Sequence, residues 1–105
     1  MARKKAVQSN EVTVAGRTYT IQRSSQESIG PNWGLCDSAN QTIHILDKLE
    51  ETTSLPSEVI ELHEILHATL FETGLCALMP DKIEEAVVHG LALQLYRTGY
   101  RRTTP

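Results

Sequence analysis

The spacing of hydrophobic residues divides this chain into a strand-forming first half and a helix-forming second half. Apolar and polar residues alternate over 11–23, and Ala15-Gly16 interrupts that alternation near its middle. This pattern predicts a β-hairpin with strands near 11–15 and 18–23.

Two further strands are predicted downstream of the hairpin. The segment 24–34 is rich in Ser, Gly, Pro and Asn, which is typical of a loop, and 33–36 can form a short strand after it. Residues Thr42–Leu46 alternate β-branched and polar side chains, and this alternation predicts a strand.

Helical periodicity begins after these strands. Apolar residues recur three or four positions apart in two segments, with Val59, Leu62, Leu66 and Leu70 in the first and Ile83, Val87, Leu91 and Leu95 in the second. The first helix is expected to be capped by Ser54 or Ser57 and to end near Thr73. The second helix is expected to be capped by Asp81 and to continue to about Arg97.

A sheet of three to four strands followed by two helices predicts an α+β domain, in which a small twisted sheet packs on a helical hairpin. The domain is expected to span 11–99, with flexible tails at 1–10 and 100–105. The length of 105 residues, with 40% hydrophobic and 22% charged residues, suits one globular domain. The net charge of -3 argues against a general nucleic-acid binder, so no nucleic-acid partner is expected.

The expected location is the cytoplasm. No apolar run is long enough to span a membrane, and Gln8 to Glu11 are polar where a signal peptide would need an apolar segment. Cys36 and Cys76 are too few for a disulfide framework and are expected to be free thiols. The oligomeric state is left open by the sequence.

The chemistry of the chain is indicated by His63-Glu64-Ile65-Leu66-His67, an HExxH motif inside the first predicted helix. Residues four apart lie on one helix face, so both imidazoles can bind one zinc ion. Glu64 can then hydrogen-bond a water on that ion and accept its proton. The pattern predicts a catalytic zinc site, against the alternative of an amphipathic helix that carries two histidines without a metal.

A third ligand is needed, and several residues compete for that position. The long pattern HExxHxxGxxH is excluded, because Leu70 and Thr73 stand where Gly and His are required. Asp81 is better placed as a helix cap. Cys36 is a further candidate, since Gly34-Leu35-Cys36-Asp37 resembles the surroundings of the upstream cysteine ligand of peptide deformylases, but the chain lacks their glycine-rich segment and is short for that fold.

The strongest candidates for the third ligand are Glu85 and, after it, Glu84, both on the second helix. A helical hairpin brings that helix back beside His63 and His67. His89 lies four residues after Glu85 on the same face, so it can support the site from outside the ligand shell. Acidic residues near a helix N-terminus also occur without a metal, as charges favoured by the helix dipole.

With these residues, the chain resembles the gluzincins, zinc metallopeptidases with HExxH on one helix and a glutamate ligand on the next. Its short length and element order are similar to the minigluzincins and to small phage and ImmA-type metallopeptidases. The resemblance spans roughly residues 40–96. It implies a hydrolase with one Zn²⁺ per chain, bound by His63, His67 and Glu85, and with Glu64 as general base. His89 departs from the family pattern, which has an acidic residue at that position.

The resemblance also implies that the strand before the first helix borders the cleft and pairs with an extended peptide substrate. Ile43, His44 and Ile45 are the matching residues, while an ordinary sheet strand is the alternative. Three other functions are considered: a latent peptidase whose cleft is occupied by a terminal segment, a weakly active zinc-binding scaffold that works through a partner, and a peptide-deformylase-like hydrolase. A helical hairpin with a purely structural role is the remaining possibility.

Overall fold

The computed structural model of the chain describes residues 10–101, which form an α+β domain. The four strands are β1 Glu11–Val14, β2 Arg17–Ser24, β3 Gly34–Asp37 and β4 Thr42–Leu46. The helices are α1 Gln26–Ile29, α2 Leu49–Thr52, α3 Ser57–Glu72 and α4 Asp81–Arg97, with a 3-10 turn at Leu75–Leu78 between the last two. The predicted class, a small sheet followed by two long helices, is confirmed.

The sheet is mixed, with the strand order β1-β2-β4-β3. The pairs β1–β2 and β3–β4 are antiparallel, whereas β2 and β4 are parallel. Ala15 and Gly16 both have positive φ angles, of 49° and 87°, which match the twist of a two-residue hairpin turn. The predicted hairpin is confirmed.

The position of β4 in the sheet contradicts the expectation that it pairs with a substrate. β4 has β2 on one side and β3 on the other, so neither of its edges is free. The side chains of Ile43 and Ile45 are 0% and 1% exposed and belong to the core. His44 points to the other face of the sheet, where its Nδ1 lies 2.7 Å from the hydroxyl of Ser24. Of the three predicted substrate-binding residues, two therefore pack in the core and the third contacts the neighbouring strand β2.

The main core lies between the sheet and α3. Tyr19 on β2 is fully buried, and its hydroxyl donates a 2.6 Å hydrogen bond to Glu72 Oε2 at the end of α3. Arg17 lies 3.4 Å from the other oxygen of Glu72. Because a buried phenol needs a polar partner, this contact determines where the end of α3 meets the sheet.

A second core joins α3 to α4. Val59 and Leu62, near the start of α3, are buried with Ala92, near the end of α4. His67, near the end of α3, contacts Glu84, near the start of α4. The two helices are therefore antiparallel, and this arrangement brings the start of α4 beside the HExxH motif.

The predicted serine and aspartate caps of the long helices are wrong. Pro56 and Pro80 are the N-cap residues of α3 and α4, with extended ψ angles of 143° and 148° and no side-chain cap hydrogen bond. Asp81 lies in the first turn of α4, where its charge is favoured by the helix dipole. A proline fixes the backbone φ angle at the helix start, but its side chain cannot accept a hydrogen bond from the N–H groups of the first turn.

The end of α4 follows the prediction. Gly99 has a φ angle of 97°, the Tyr100 amide donates to the Leu95 carbonyl and the Gly99 amide donates to the Tyr96 carbonyl, which is a Schellman cap. Arg101 then stacks its guanidinium 3.9 Å from the centre of the Tyr96 ring.

The predicted tails fall almost entirely outside the described residues. Residues 1–9 and 102–105 are not described, and within 10–101 the chain at Tyr100 and Arg101 folds back onto α4. None of the helices in 10–101 has the length and apolar character needed to cross a bilayer.

At Gly34, β3 lies close against α3. A Cβ atom at Gly34 would lie 2.9 Å from Ile60 Cγ2 and 3.0 Å from Glu64 Oε2, both on α3. A Cβ atom at Gly90 on α4 would meet no atom within 4 Å. Substitution of Gly34 therefore tests how tightly β3 packs against α3, and substitution of Gly90, where space is free, is the matched control.

We predict that Gly34→Ala lowers the free energy of unfolding by about 1–3 kcal/mol, because the added methyl group overpacks the contact between β3 and α3. Gly90→Ala should raise it by about 0.5–1 kcal/mol through helix propensity. Urea denaturation of both variants and the parent measures the two effects. A Gly34→Ala protein as stable as the parent would contradict the observed packing.

Candidate metal centre

α3 presents His63, Glu64 and His67 towards a cleft between β3 and α4. The two imidazoles are one helical turn apart, and their ring centroids are separated by 4.9 Å. Both rings are mostly buried, with 18% and 17% of their side-chain surfaces exposed. The predicted pairing of the two histidines on one helix face is therefore present in the structure.

Glu85 on α4 contacts both imidazoles. Its Oε1 lies 3.3 Å from His63 Nε2, and its Oε2 lies 3.2 Å from His67 Nε2. The ligand atoms of these three residues all lie within 4.8 Å of one another. The structure thus brings together the three residues that the sequence predicted as metal ligands.

Glu84 also contacts the centre, but through a different atom. Its Oε2 lies 2.6 Å from His67 Nδ1, the ring nitrogen that faces away from Glu85. Adjacent helical residues point roughly 100° apart, so Glu84 and Glu85 reach opposite sides of the same ring. The sequence placed Glu84 only as an alternative ligand, and its contact with Nδ1 shows that it can orient His67 instead.

The hydrogen bond between His67 Nδ1 and Glu84 affects whether the other ring nitrogen, Nε2, carries a proton where it faces Glu85. If Nδ1 carries the proton donated to Glu84, Nε2 has a lone pair, and it faces a carboxylate oxygen at 3.2 Å. Two acceptors at that distance need a proton or a metal cation between them. Burial, and secondarily the charge of His67, lower the pKa of His63, which favours its neutral, metal-binding form.

The donor set suits zinc. Two imidazole nitrogens and one carboxylate oxygen form a three-ligand set known from catalytic zinc sites, and such sites keep a position for water. Glu84 behaves as the carboxylate that commonly accepts the second N–H of a ligating histidine. His63, His67 and Glu85 therefore fit zinc as ligands, and Glu84 fits as the residue that orients His67.

Glu64 is almost completely buried, at 7% exposure, and lies beside the backbone of Gly34. The pKa of its carboxyl is raised to about 7, chiefly by burial; the charge of His67 opposes this rise and the charge of Glu85 adds to it. A carboxyl with a pKa near neutrality can both accept and return a proton, as a general base and acid must.

The cleft has a volume of about 760 Å³. Its floor is α3, and its two walls are the segment through β3 and the first turns of α4. Trp33, Leu35 and Phe71 line it while remaining 41%, 37% and 52% exposed, so its rim is apolar. Within the described part of the chain, the outer edge of β3 has no strand partner.

Two other residues that the sequence offered as ligands line the cleft without joining the cluster. Cys36 contacts the Ser38 hydroxyl at 3.6 Å, and burial raises the pKa of its thiol. Asp81 is exposed in the first turn of α4. Among residues 10–101, the potential metal-binding group consists of His63, His67 and Glu85 only.

His89 lies against His63 with its ring edge-on and the two centroids 6.0 Å apart. It lines the same cleft. In the described range, no hydrogen bond joins it to either histidine of the HExxH motif, so its predicted supporting role stays a prediction.

The comparisons with known proteins add nothing to this geometry. No protein-family model, no curated protein and no solved structure matches the chain.

Proposed function

We propose that this protein is a zinc-dependent peptidase in which His63, His67 and Glu85 hold the metal and Glu64 is the general base. The observation that carries this proposal is the convergence of two imidazole nitrogens on one carboxylate, beside a buried glutamate with a pKa of about 7. An HExxH helix alone does not require a nearby acid from another helix, and here that acid is present.

Zinc, when bound, supplies the Lewis acidity that activates water and polarises a carbonyl group. Glu64 accepts the proton of the attacking water and returns it to the leaving nitrogen. Its burial keeps bulk water away from the carboxyl and holds the carboxyl in one place under β3. Glu84 keeps the His67 ring in the orientation that directs Nε2 towards the metal.

The shape of the cleft favours an extended peptide as the substrate. Within residues 10–101, the outer edge of β3 beside Glu64 has no strand partner, and a peptide can add to such an edge as a further strand. β3 thus takes the role that the sequence assigned to 42–46. The apolar rim formed by Trp33, Leu35 and Phe71 favours apolar side chains on the peptide.

A cytoplasmic location belongs to the same proposal. Cys36 and Cys76 are both free thiols, and free thiols persist in reducing compartments. No nucleic-acid or membrane partner is part of the proposed function.

We predict that the purified apoprotein binds one zinc ion per chain and that Glu85→Gln weakens this binding by at least about tenfold, because the charged ligand is lost. Glu58→Gln, which removes an exposed acid from the first turn of α3, is the matched control and should bind zinc like the parent. Isothermal titration measures the affinities. Equal affinity in the Glu85 variant and the parent would exclude Glu85 as a ligand.

Glu84→Ala should weaken zinc binding by about 10–100-fold, because His67 loses the acceptor that fixes its orientation. Glu84→Gln should lose less, since its amide oxygen can still accept the Nδ1 proton. The same titrations test this order. If the alanine and glutamine variants are both indistinguishable from the parent, Glu84 does not position His67.

Glu64→Gln should retain zinc and the fold but lower peptide cleavage by about 100- to 10,000-fold, the usual contribution of general acid–base catalysis. The change keeps the size of the side chain and removes its basicity. The assay uses zinc-loaded protein and fluorogenic peptides with apolar residues, with Glu58→Gln as the control. Undiminished turnover in the Glu64 variant would mean that another group is the base.

A further inference from the structure

His89 lines the cleft but has no part in the chemistry proposed above. It lies four residues after Glu85 on α4, so both side chains project from the same face of that helix. Within residues 10–101, no hydrogen bond holds its ring nitrogens, and its neighbour in the cleft is the ring of His63. His89 is also exposed, so its side chain can rotate without disturbing the core.

The separations between the imidazoles suit a shared ion. Two imidazoles that bind one zinc through nitrogens at about 2.0–2.1 Å place their ring centres roughly 5 to 5.5 Å apart at a tetrahedral angle. His63 and His67 are separated by 4.9 Å, close to that range. His63 and His89 are separated by 6.0 Å, beyond that range, so binding of His89 to the same ion requires its exposed side chain to turn towards His63.

We propose that His89 is a fourth protein ligand of this centre and closes it in the resting protein. This inference rests on the proposed zinc site. Zinc with four protein ligands has the closed coordination of a structural site and no position left for water. The centre then becomes catalytic only when His89 withdraws.

The burial of the ligands indicates which one can leave. His63 and His67 are mostly buried on α3, and His67 is held by both Glu84 and Glu85. His89 makes no such contact with a carboxylate within residues 10–101 and lies on the exposed side of α4. Its departure therefore opens a coordination position without unpacking either helix.

The test loads the full chain with cobalt(II) alone and counts, by proton NMR, the sets of paramagnetically shifted imidazole ring protons. We expect three sets in the parent and two in His89→Asn. His44→Asn, which alters a histidine on the far face of the sheet, is the control and should keep three. Zinc affinity should fall by at least about tenfold in His89→Asn and stay unchanged in His44→Asn.

Azide gives a second readout, because it binds cobalt where a coordination position is open. It should change the visible spectrum of the cobalt-loaded His89→Asn protein at lower concentration than that of the parent. Two imidazole sets in the parent, or equal azide affinity in both proteins, would overturn the fourth-ligand assignment while leaving the peptidase proposal standing. A loss of zinc affinity in His89→Asn with only two sets in the parent would make His89 a positioning residue and would also overturn it. A parent that binds neither cobalt nor zinc would overturn both proposals.

Discussion

The contact between the imidazoles of α3 and the adjacent carboxylates of α4 is the interaction on which the site depends. His67 lies between Glu84 on its Nδ1 side and Glu85 on its Nε2 side, and Glu85 also reaches His63. His63, His67 and Glu84 are mostly buried, and buried polar groups are costly unless they are paired, whereas the Glu85 side chain is 62% exposed. Either a proton or a metal cation satisfies the acceptors that face one another, and the proposed zinc site takes the second of these.

Two separate packing contacts hold the site in place. The buried cluster of Val59, Leu62 and Ala92 sets the distance between the start of α3 and the end of α4. The hydrogen bond from Tyr19 to Glu72 joins the C-terminal end of α3 to the sheet. Between them, Gly34 allows β3 to lie directly against Glu64, the proposed general base, because a side chain at this position would collide with Glu64 and Ile60.

Much of this arrangement was predictable from local patterns. Alternation identified β1, β2 and β4, periodicity identified both long helices, and HExxH with an acid about one helical turn into the next helix identified the three candidate ligands. These features depend on spacing within one element, which the sequence carries directly. The short helices α1 and α2 escaped notice because one turn contains too few residues to show a period.

The features that the sequence did not predict depend on how the strands and helices are placed relative to one another. The alternation of Thr42–Leu46 is the same for an edge strand and a central strand, so its burial between β2 and β3 could not be read from it. Glu84 contacts Nδ1 of His67 and Glu85 contacts Nε2. Which glutamate faces which nitrogen depends on the rotation of α4 about its axis, and no sequence spacing specifies that rotation. The sheet edge beside the site that lacks a strand partner among residues 10–101 belongs to β3, whose four residues carry only a weak strand pattern.

Anomalous diffraction at the zinc absorption edge, on crystals of the full chain grown with zinc, tests the central claim most directly. We expect one strong peak per chain, bounded by the Nε2 atoms of His63 and His67 and by the carboxylate of Glu85, at about 2.0–2.2 Å from each ligand atom. A zinc-replete crystal with no peak between α3 and α4, or with Glu85 turned away from the peak, would contradict it.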